Sequence, residues 1–304
     1  MPKHHFVPQF YLRRFCDPCV PVGYEPFLWV NNRTETGWKK KAPRNCGYEI
    51  GMYSVAAEDS ELVEKFYSSL ETMMAKVYKE SLDSFDFPRE KEREVISIFA
   101  GSCATRSPMM RWNHERMAKQ VLEKSIKLVM RKPSFLYGMV KETGMDREEA
   151  ERVHKLILEN GGYKVSVKKE YLTATGINVL PVVTEIVSKM KWKLLIAPFN
   201  EYFVTTDSPA CWEDPCLRHS VYGNSGLALK NVEFILPLSR KLCLLAGWNY
   251  MEGVFVAKAE QVRRIVNRCI SWSSRQIYSP RPFELVPQDK SKDGPIIMNG
   301  FNNR

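Results

Sequence analysis

Apolar residues recur at helical spacing between about residues 58 and 190, and on either side they give way to short runs of strand-like composition. From Ser60 onward, Val63, Phe66, Leu70, Met73 or Met74, Val77 and Ser81 fall three or four apart, which predicts an amphipathic helix of about five turns. A second helix is expected from Pro88, with Val95, Ile96, Phe99 and Cys103 facing inward, and a third over 112–130. A fourth starts at Asp146, with Glu149 placed as in a capping box, and stops at Gly161-Gly162. Residues 170–190 read as helical, with Pro181 as a kink or break. Before this block, residues 27–30 read as a strand with Asn31-Asn32 as its turn, and Lys39-Lys40-Lys41 as a solvated loop or strand edge. After Trp192, residues 193–197 and 202–206 read as a hairpin, and 232–237 with 242–246 as another. A last helix is expected from about 257 to 277. The order strands, helices, strands predicts an α+β fold: a mixed or antiparallel sheet from the N- and C-terminal strands, with a central helical block. The expected organisation is one domain over 1–280, a helical insertion at about 58–190, and a mobile tail at 281–304 rich in Pro, Lys, Asp and Asn.

The 304 residues suffice for a sizeable core, and 44% apolar with 26% charged residues excludes wholesale disorder. No apolar run approaches the roughly 18 residues needed to span a bilayer, and no apolar segment of a secretory leader opens the chain. A cytoplasmic location without a membrane partner is the expectation. Eight cysteines in such a chain would be reduced, with Cys103, Cys243 and Cys269 as small core residues. The net charge of +10 is regional: residues 1–48 hold eight Lys/Arg against three Asp/Glu, and residues 151–200 hold eight against four. A clustered positive field favours a polyanion such as a nucleic acid, a nucleotide or an acidic membrane surface; a solubilising surface is the alternative.

The sharpest local signal is the opening, Lys3-His4-His5-Phe6-Val7-Pro8-Gln9-Phe10-Tyr11-Leu12-Arg13-Arg14-Phe15. Imidazole serves as a general base near neutral pH or as a metal ligand, which makes His4 and His5 catalytic candidates. Neighbours on a strand face opposite ways, so one of the two is expected in any given pocket. Gln9, Tyr11 and Arg13 add polar reach for substrate. A solvated terminal extension is the competing reading, opposed by Phe6, Phe10 and Phe15, which need burial. Thr206-Asp207-Ser208-Pro209 ends a strand in a carboxylate able to orient a histidine, or else to cap its own turn, with Thr206 and Ser208 as substrate contacts. Arg106, at the end of an apolar helix, fits a phosphate clamp or a helix C-terminus. Together, His4 or His5, Gln9, Arg106 and Asp207 would form one site for attack on a phosphodiester or nucleotide; Glu71, near the edge of the apolar stripe, reads first as a surface salt bridge and second as a further member. A divalent metal ion is a candidate cofactor. Cys16-x2-Cys19 with Cys211-x4-Cys216 would supply the thiolates for a structural zinc, both pairs flanked by Asp-Pro; unpaired thiols are the alternative.

The pattern His-His-x-x-Pro-x-x-Tyr-Leu-x-x-Phe resembles the opening of the proteins grouped as domain of unknown function 4238. Further matches follow in order: Leu28-Trp29-Val30, Glu71, Phe99-Ala100 with Arg106 and Pro108, Trp192, Phe203–Pro209, Phe234–Ser239, Asn267 and Tyr278-Ser279. The resemblance covers most of residues 3–280 and implies one shared domain; it brings no assigned activity. His-His-x-x-Pro also looks like the first half of a metal-nuclease HNH hairpin, but no further His occurs between His5 and His114. No phosphate loop, dinucleotide-binding glycine pattern, nucleophile elbow or His-Glu-x-x-His is present. The leading expectation is therefore a nuclease or nucleotide hydrolase, of host-defence or toxin type. A noncatalytic nucleic-acid-binding module and a structural or interaction protein are the alternatives.

Overall fold

Gly47 is what lets the N-terminal segment lie down on the protein. Its φ of +62° suits glycine, and a Cβ there would stand 2.7 Å from Val7 Cβ. The close approach lets the Gly47 carbonyl accept from the amides of Phe6 (2.9 Å) and Val7 (3.1 Å). It also brings β1 (Lys3–His5) antiparallel to β4 (Tyr48–Ile50). The computed structural model behind this description covers residues 3–33, 35, 37–50, 52, 57–160, 164–217, 226–286 and 297–301.

Between those strands lie α1 (Gln9–Leu12), β2 (Leu28–Asn32) and β3 (Lys39–Lys41). Pro8 stands just before α1, its carbonyl accepting from Leu12 N at 3.0 Å. The helical block follows as α2 (Ala57–Glu80), α3 (Glu90–Thr105), α4 (Pro108–Met130), α5 (Pro133–Thr143), α6 (Arg147–Asn160) and α7 (Lys169–Lys189). Then come β5 (Lys191–Ile196), β6 (Thr205–Thr206), β7 (Cys211–Glu213), β8 (Glu233–Pro237), β9 (Leu242–Gly247), β10 (Gly253–Val256), α8 (Ala259–Trp272), β11 (Gln276–Ser279), β12 (Phe283–Val286) and β13 (Ile297–Phe301). The fold is α+β with mixed and antiparallel sheets.

The chain divides into two compact units, Met1–Arg111 with Thr173–Arg304, and Trp112–Leu172. In the larger, one sheet has the order β10-β5-β9-β8-β7, parallel only at β10–β5, and another the order β3-β2-β11-β6. The central strands of the first read as unbroken apolar runs because both faces are covered. Phe234, Leu236, Leu244 and Trp192 enter one core with Tyr11, Phe15, Tyr78, Phe99 and Tyr278. The alternating Ile235, Cys243, Leu245 and Leu195 enter a second core with Val262, Val266 and Ile270 of α8. In the smaller unit, Asp146 caps α6 as expected, accepting from Glu149 N at 2.8 Å, and His154 Nε2 lies 2.5 Å from the Met130 carbonyl. The expected stop at Gly161-Gly162 lies outside the described residues.

Several sequence expectations are corrected. The buried stripe of α2 is Tyr67, Leu70, Met74, Val77 and Tyr78, with Ser81 buried just past its end, whereas Phe66 and Met73 are 44% and 45% exposed. The expected hairpin of 193–197 with 202–206 does not form, because β5 pairs with β9 and β10 while β6 pairs with β11 in the other sheet. The link between them is gathered by the Lys241 ammonium, which donates to the carbonyls of Pro198 (2.9 Å), Phe199 (2.8 Å) and Glu201 (2.9 Å). The second hairpin, β8–β9, is present. Residues 133–143, left without assignment by periodicity, form α5, and Pro181 lies inside α7. With 21 residues, α7 is long and apolar enough to cross a membrane by length and composition, yet its Val183 and Val187 belong to the first core. Residues 283–286, placed in the mobile tail by composition, form β12, and the Trp38 indole donates to the Phe283 carbonyl at 2.9 Å. Residues 287–296 of that tail lie outside the described residues.

Tyr11 is wholly buried; its hydroxyl donates to the Pro237 carbonyl (2.6 Å) and lies 2.8 Å from Thr205 Oγ1. It ties the opening motif to β8 and β6, and burial pushes its pKa well up. Sequence reading gave Tyr11 to substrate; its hydroxyl is instead spent inside the core. Tyr11→Phe would leave that carbonyl without its donor and should cost about 2 kcal/mol. Urea unfolding reads this directly, and a loss under about 0.5 kcal/mol would mean the hydroxyl contributes little.

Candidate functional site

The opening motif and α2 together enclose a cleft of about 490 Å³. Lys3, His4 and His5 come from β1, Gln9 and Phe10 from α1, and Arg13 from the turn that follows it. Glu64, Tyr67, Ser68 and Glu71 come from one face of α2, and Arg106 from the C-terminal end of α3. The α2 residues fall at i, i+3, i+4 and i+7, so a single helical face presents all four.

Both histidines line the cleft, against the expectation of one. The alternation rule applies within a strand, but β1 ends at His5 and the chain bends at once through Phe6-Val7. His4 is 6% exposed, with Nε2 3.4 Å from Glu64 Oε1. His5 is half-buried; its Nε2 faces the Arg44 carbonyl at 3.4 Å, and its ring tilts against Tyr48. In the tautomer that donates from Nε2 to that carbonyl, Nδ1 keeps the lone pair. Burial lowers the His5 pKa; the Arg44 contact opposes this, and the charges of Lys3 and Arg106 add to it. His5 is thus held toward the neutral, proton-accepting form.

Glu71 is displaced the other way. Burial raises its pKa, and the Arg106 guanidinium only partly offsets this. Arg106 itself is 5% exposed, and its guanidinium sits 4.5 Å over the Tyr67 ring. A shielded cation–π contact of this kind contributes on the order of 1–2 kcal/mol and holds a flexible side chain in one place. The cleft therefore holds an imidazole with a lowered pKa, a carboxyl with a raised pKa and a guanidinium packed on Tyr67.

Of the residues proposed from sequence, His4, His5, Gln9, Arg13, Arg106 and Glu71 meet here, and Tyr11, Thr206, Asp207 and Ser208 do not line the cleft. Asp207 is 2% exposed. Its carboxylate accepts from the backbone amides of Ser274 (2.8 Å), Arg275 (2.6 Å) and Gln276 (3.1 Å), so no histidine is its partner there. Burial pushes its pKa up against these three donors and Arg33. Thr206 Oγ1 closes its own turn, donating to Ser208 O at 2.8 Å and accepting from Ser208 N at 3.1 Å.

The four-cysteine zinc site does not assemble. Among the described residues, no three His, Cys, Asp or Glu side chains are grouped so as to hold a metal ion. Cys211 Sγ lies 4.0 Å from Cys269 Sγ in the second core, and Cys19 Sγ is 3.5 Å from Arg281 Nη2. Burial pushes the Cys16 thiol up to about 11, away from the thiolate that zinc requires. The repeated Asp-Pro-Cys has a simpler cause: Asp17 Oδ1 accepts from Cys19 N (2.9 Å) and Asp214 Oδ1 from Cys216 N (2.8 Å), the same side-chain turn twice.

Sequence reading missed Glu64, Tyr67 and Ser68. The available signal was a polar face beside the apolar stripe of α2, obscured because Phe66 rather than Tyr67 was placed inside. With this geometry in place, the family follows from comparison. The chain belongs to the family described as "Protein of unknown function (DUF4238)", whose model matches residues 3–282. No curated protein and no solved structure matches it.

Proposed function

We propose that the protein hydrolyses phosphate esters of nucleotides or nucleic acids in this cleft. The observation that carries the reading is the convergence of His5, Glu71 and the cations Lys3, Arg13 and Arg106 on one hollow. His5 takes a proton from water as the water oxygen bonds to phosphorus. The bond from phosphorus to the leaving oxygen breaks, and Glu71 gives that oxygen its proton. Arg106, fixed on Tyr67, meets the charge that builds on the equatorial oxygens, where a preplaced cation needs no reorganisation. Glu64 holds His4 across 3.4 Å, which makes His4 a positioning residue beside the reacting atoms.

The test is turnover by the purified full chain on nucleotides, single-stranded RNA and single-stranded DNA, with and without divalent cations. The reading expects release of a phosphate monoester or inorganic phosphate from at least one of them. Binding of these ligands without turnover under any condition would make the cleft a noncatalytic nucleic-acid or nucleotide module and end the hydrolytic reading.

A further inference from the structure

The cleft is rich in cations and poor in aromatic surface open to a base. Besides the imidazoles of His4 and His5, the rings that line it are Phe10 and Tyr67. Tyr67 is 7% exposed and carries the Arg106 guanidinium over its ring. Phe10 is packed against Phe99 (5.8 Å) and Tyr78 (6.2 Å) at the edge of the first core. Tyr48, which follows Gly47 behind β1, has the Lys3 ammonium 4.6 Å over its ring. Stacking on an exposed ring is how proteins hold bases of single strands, and here Tyr67 and Tyr48 carry the protein's own cations, Phe10 is half-buried against the first core, the His4 ring is buried beside Glu64, and the half-buried His5 ring tilts against Tyr48.

The cations are graded in depth. Lys3 and Arg13 are exposed at the rim, whereas Arg106 is almost wholly recessed. A phosphate at a chain end can reach past the rim to the recessed guanidinium. A phosphate inside a strand carries an esterified oxygen on each side and meets the rim first.

We infer that this cleft recognises a terminal phosphate monoester through Arg106, Lys3 and Arg13, and does not read the base attached to it. The inference rests on the phosphate-directed reading of the same cleft and narrows its substrate class. The shared chemistry is the monoester dianion; a free nucleotide, a sugar phosphate and the phosphorylated end of a strand all present it.

Calorimetric titration of the full chain carrying His5→Gln, so that turnover does not blur binding, tests this. The ligands are inorganic phosphate, ribose 5-phosphate, AMP, CMP, adenosine, and a trinucleotide with either a 5′-phosphate or a 5′-hydroxyl. Ribose 5-phosphate, AMP and CMP should bind within about threefold of one another. Adenosine and the 5′-hydroxyl trinucleotide should bind at least about tenfold more weakly than their phosphorylated counterparts, the loss expected for a charge-assisted contact. Comparing ribose 5-phosphate, nucleotide and phosphorylated strand distinguishes the sources. Arg106→Gln should weaken every monoester about tenfold or more, and Lys3→Gln at the exposed rim, where folding is not at stake, by a few-fold. A tenfold difference between AMP and CMP, or equal binding of the two trinucleotides, would overturn the inference. Monoester binding that follows these rules in a chain without turnover upholds the inference while removing the hydrolytic reading.

Discussion

Asp207→Ala should lower the free energy of unfolding by about 4 kcal/mol, the largest stability loss expected from a single site here. The carboxylate gathers three consecutive backbone amides, Ser274 to Gln276, between the end of α8 and the start of β11. Removing it leaves three part-buried donors without an acceptor, each costing about 1–3 kcal/mol, and returns some of the desolvation cost of the carboxylate. The turn is not peripheral. Asp207 N also donates to Gln276 O at 3.0 Å, Arg33 N donates to Arg275 O at 2.9 Å, and Arg33 Nη1 donates to Ser273 O at 2.7 Å. β11 begins there and lies between β2 and β6 in its sheet. Asp207→Asn should recover only part of the loss, because the amide keeps one acceptor oxygen and turns an NH2 toward donors. Urea midpoints of the three proteins measure the effect. A variant of unchanged stability that lost activity would return Asp207 to the catalytic role suggested by its place at a strand end.

The same turn is where the C-terminal helix, read too long from sequence, ends. Val262, Ile265, Val266, Cys269 and Ile270 keep helical period up to residue 270. The helix ends at Ser273, whose amide and hydroxyl both donate to the Ile270 carbonyl, and Asp207, 67 residues away, takes the next amide, that of Ser274. Lys241 acts similarly on residues 198–201, gathering three carbonyls and sending β5 and β6 into different sheets. Period is a local property and made the fold class legible: helices between strands, and a hairpin at β8–β9. Partners chosen across the sequence were not legible. The candidate site divides in the same way. The opening motif could be read because Phe6, Phe10 and Phe15 need burial; Phe6 and Phe15 are buried, and Phe10 is half-buried against the first core. That α2 would lay Glu64, Tyr67, Ser68 and Glu71 beside it depended on which aromatic neighbour, Phe66 or Tyr67, turned inward. Only tertiary packing decides that.

The second large effect lies in the pH dependence of turnover. His5 must be neutral to accept a proton, so the rate should rise with pH through a pKa below the ordinary 6.5 of histidine. Glu71 must be protonated to donate, so the rate should fall with pH through a pKa above the ordinary 4.5 of glutamate. With both groups required, the profile of kcat/KM should be a bell, rising as His5 loses its proton and falling as Glu71 loses its own. Each group has a distinct signature. His5→Gln should lower kcat by about 10²–10⁴-fold and remove the acidic limb. Glu71→Gln should cost kcat a similar factor and remove the alkaline limb. It should also leave KM for a phosphate ester unchanged or lower, because a carboxyl that repels the anion when ionised has gone. A residue that merely shaped the cleft would change KM and leave both limbs in place. If Glu71→Gln keeps the alkaline limb, that carboxyl is not the acid, and the pairing of His5 with Glu71 is wrong even in a chain that hydrolyses its substrate.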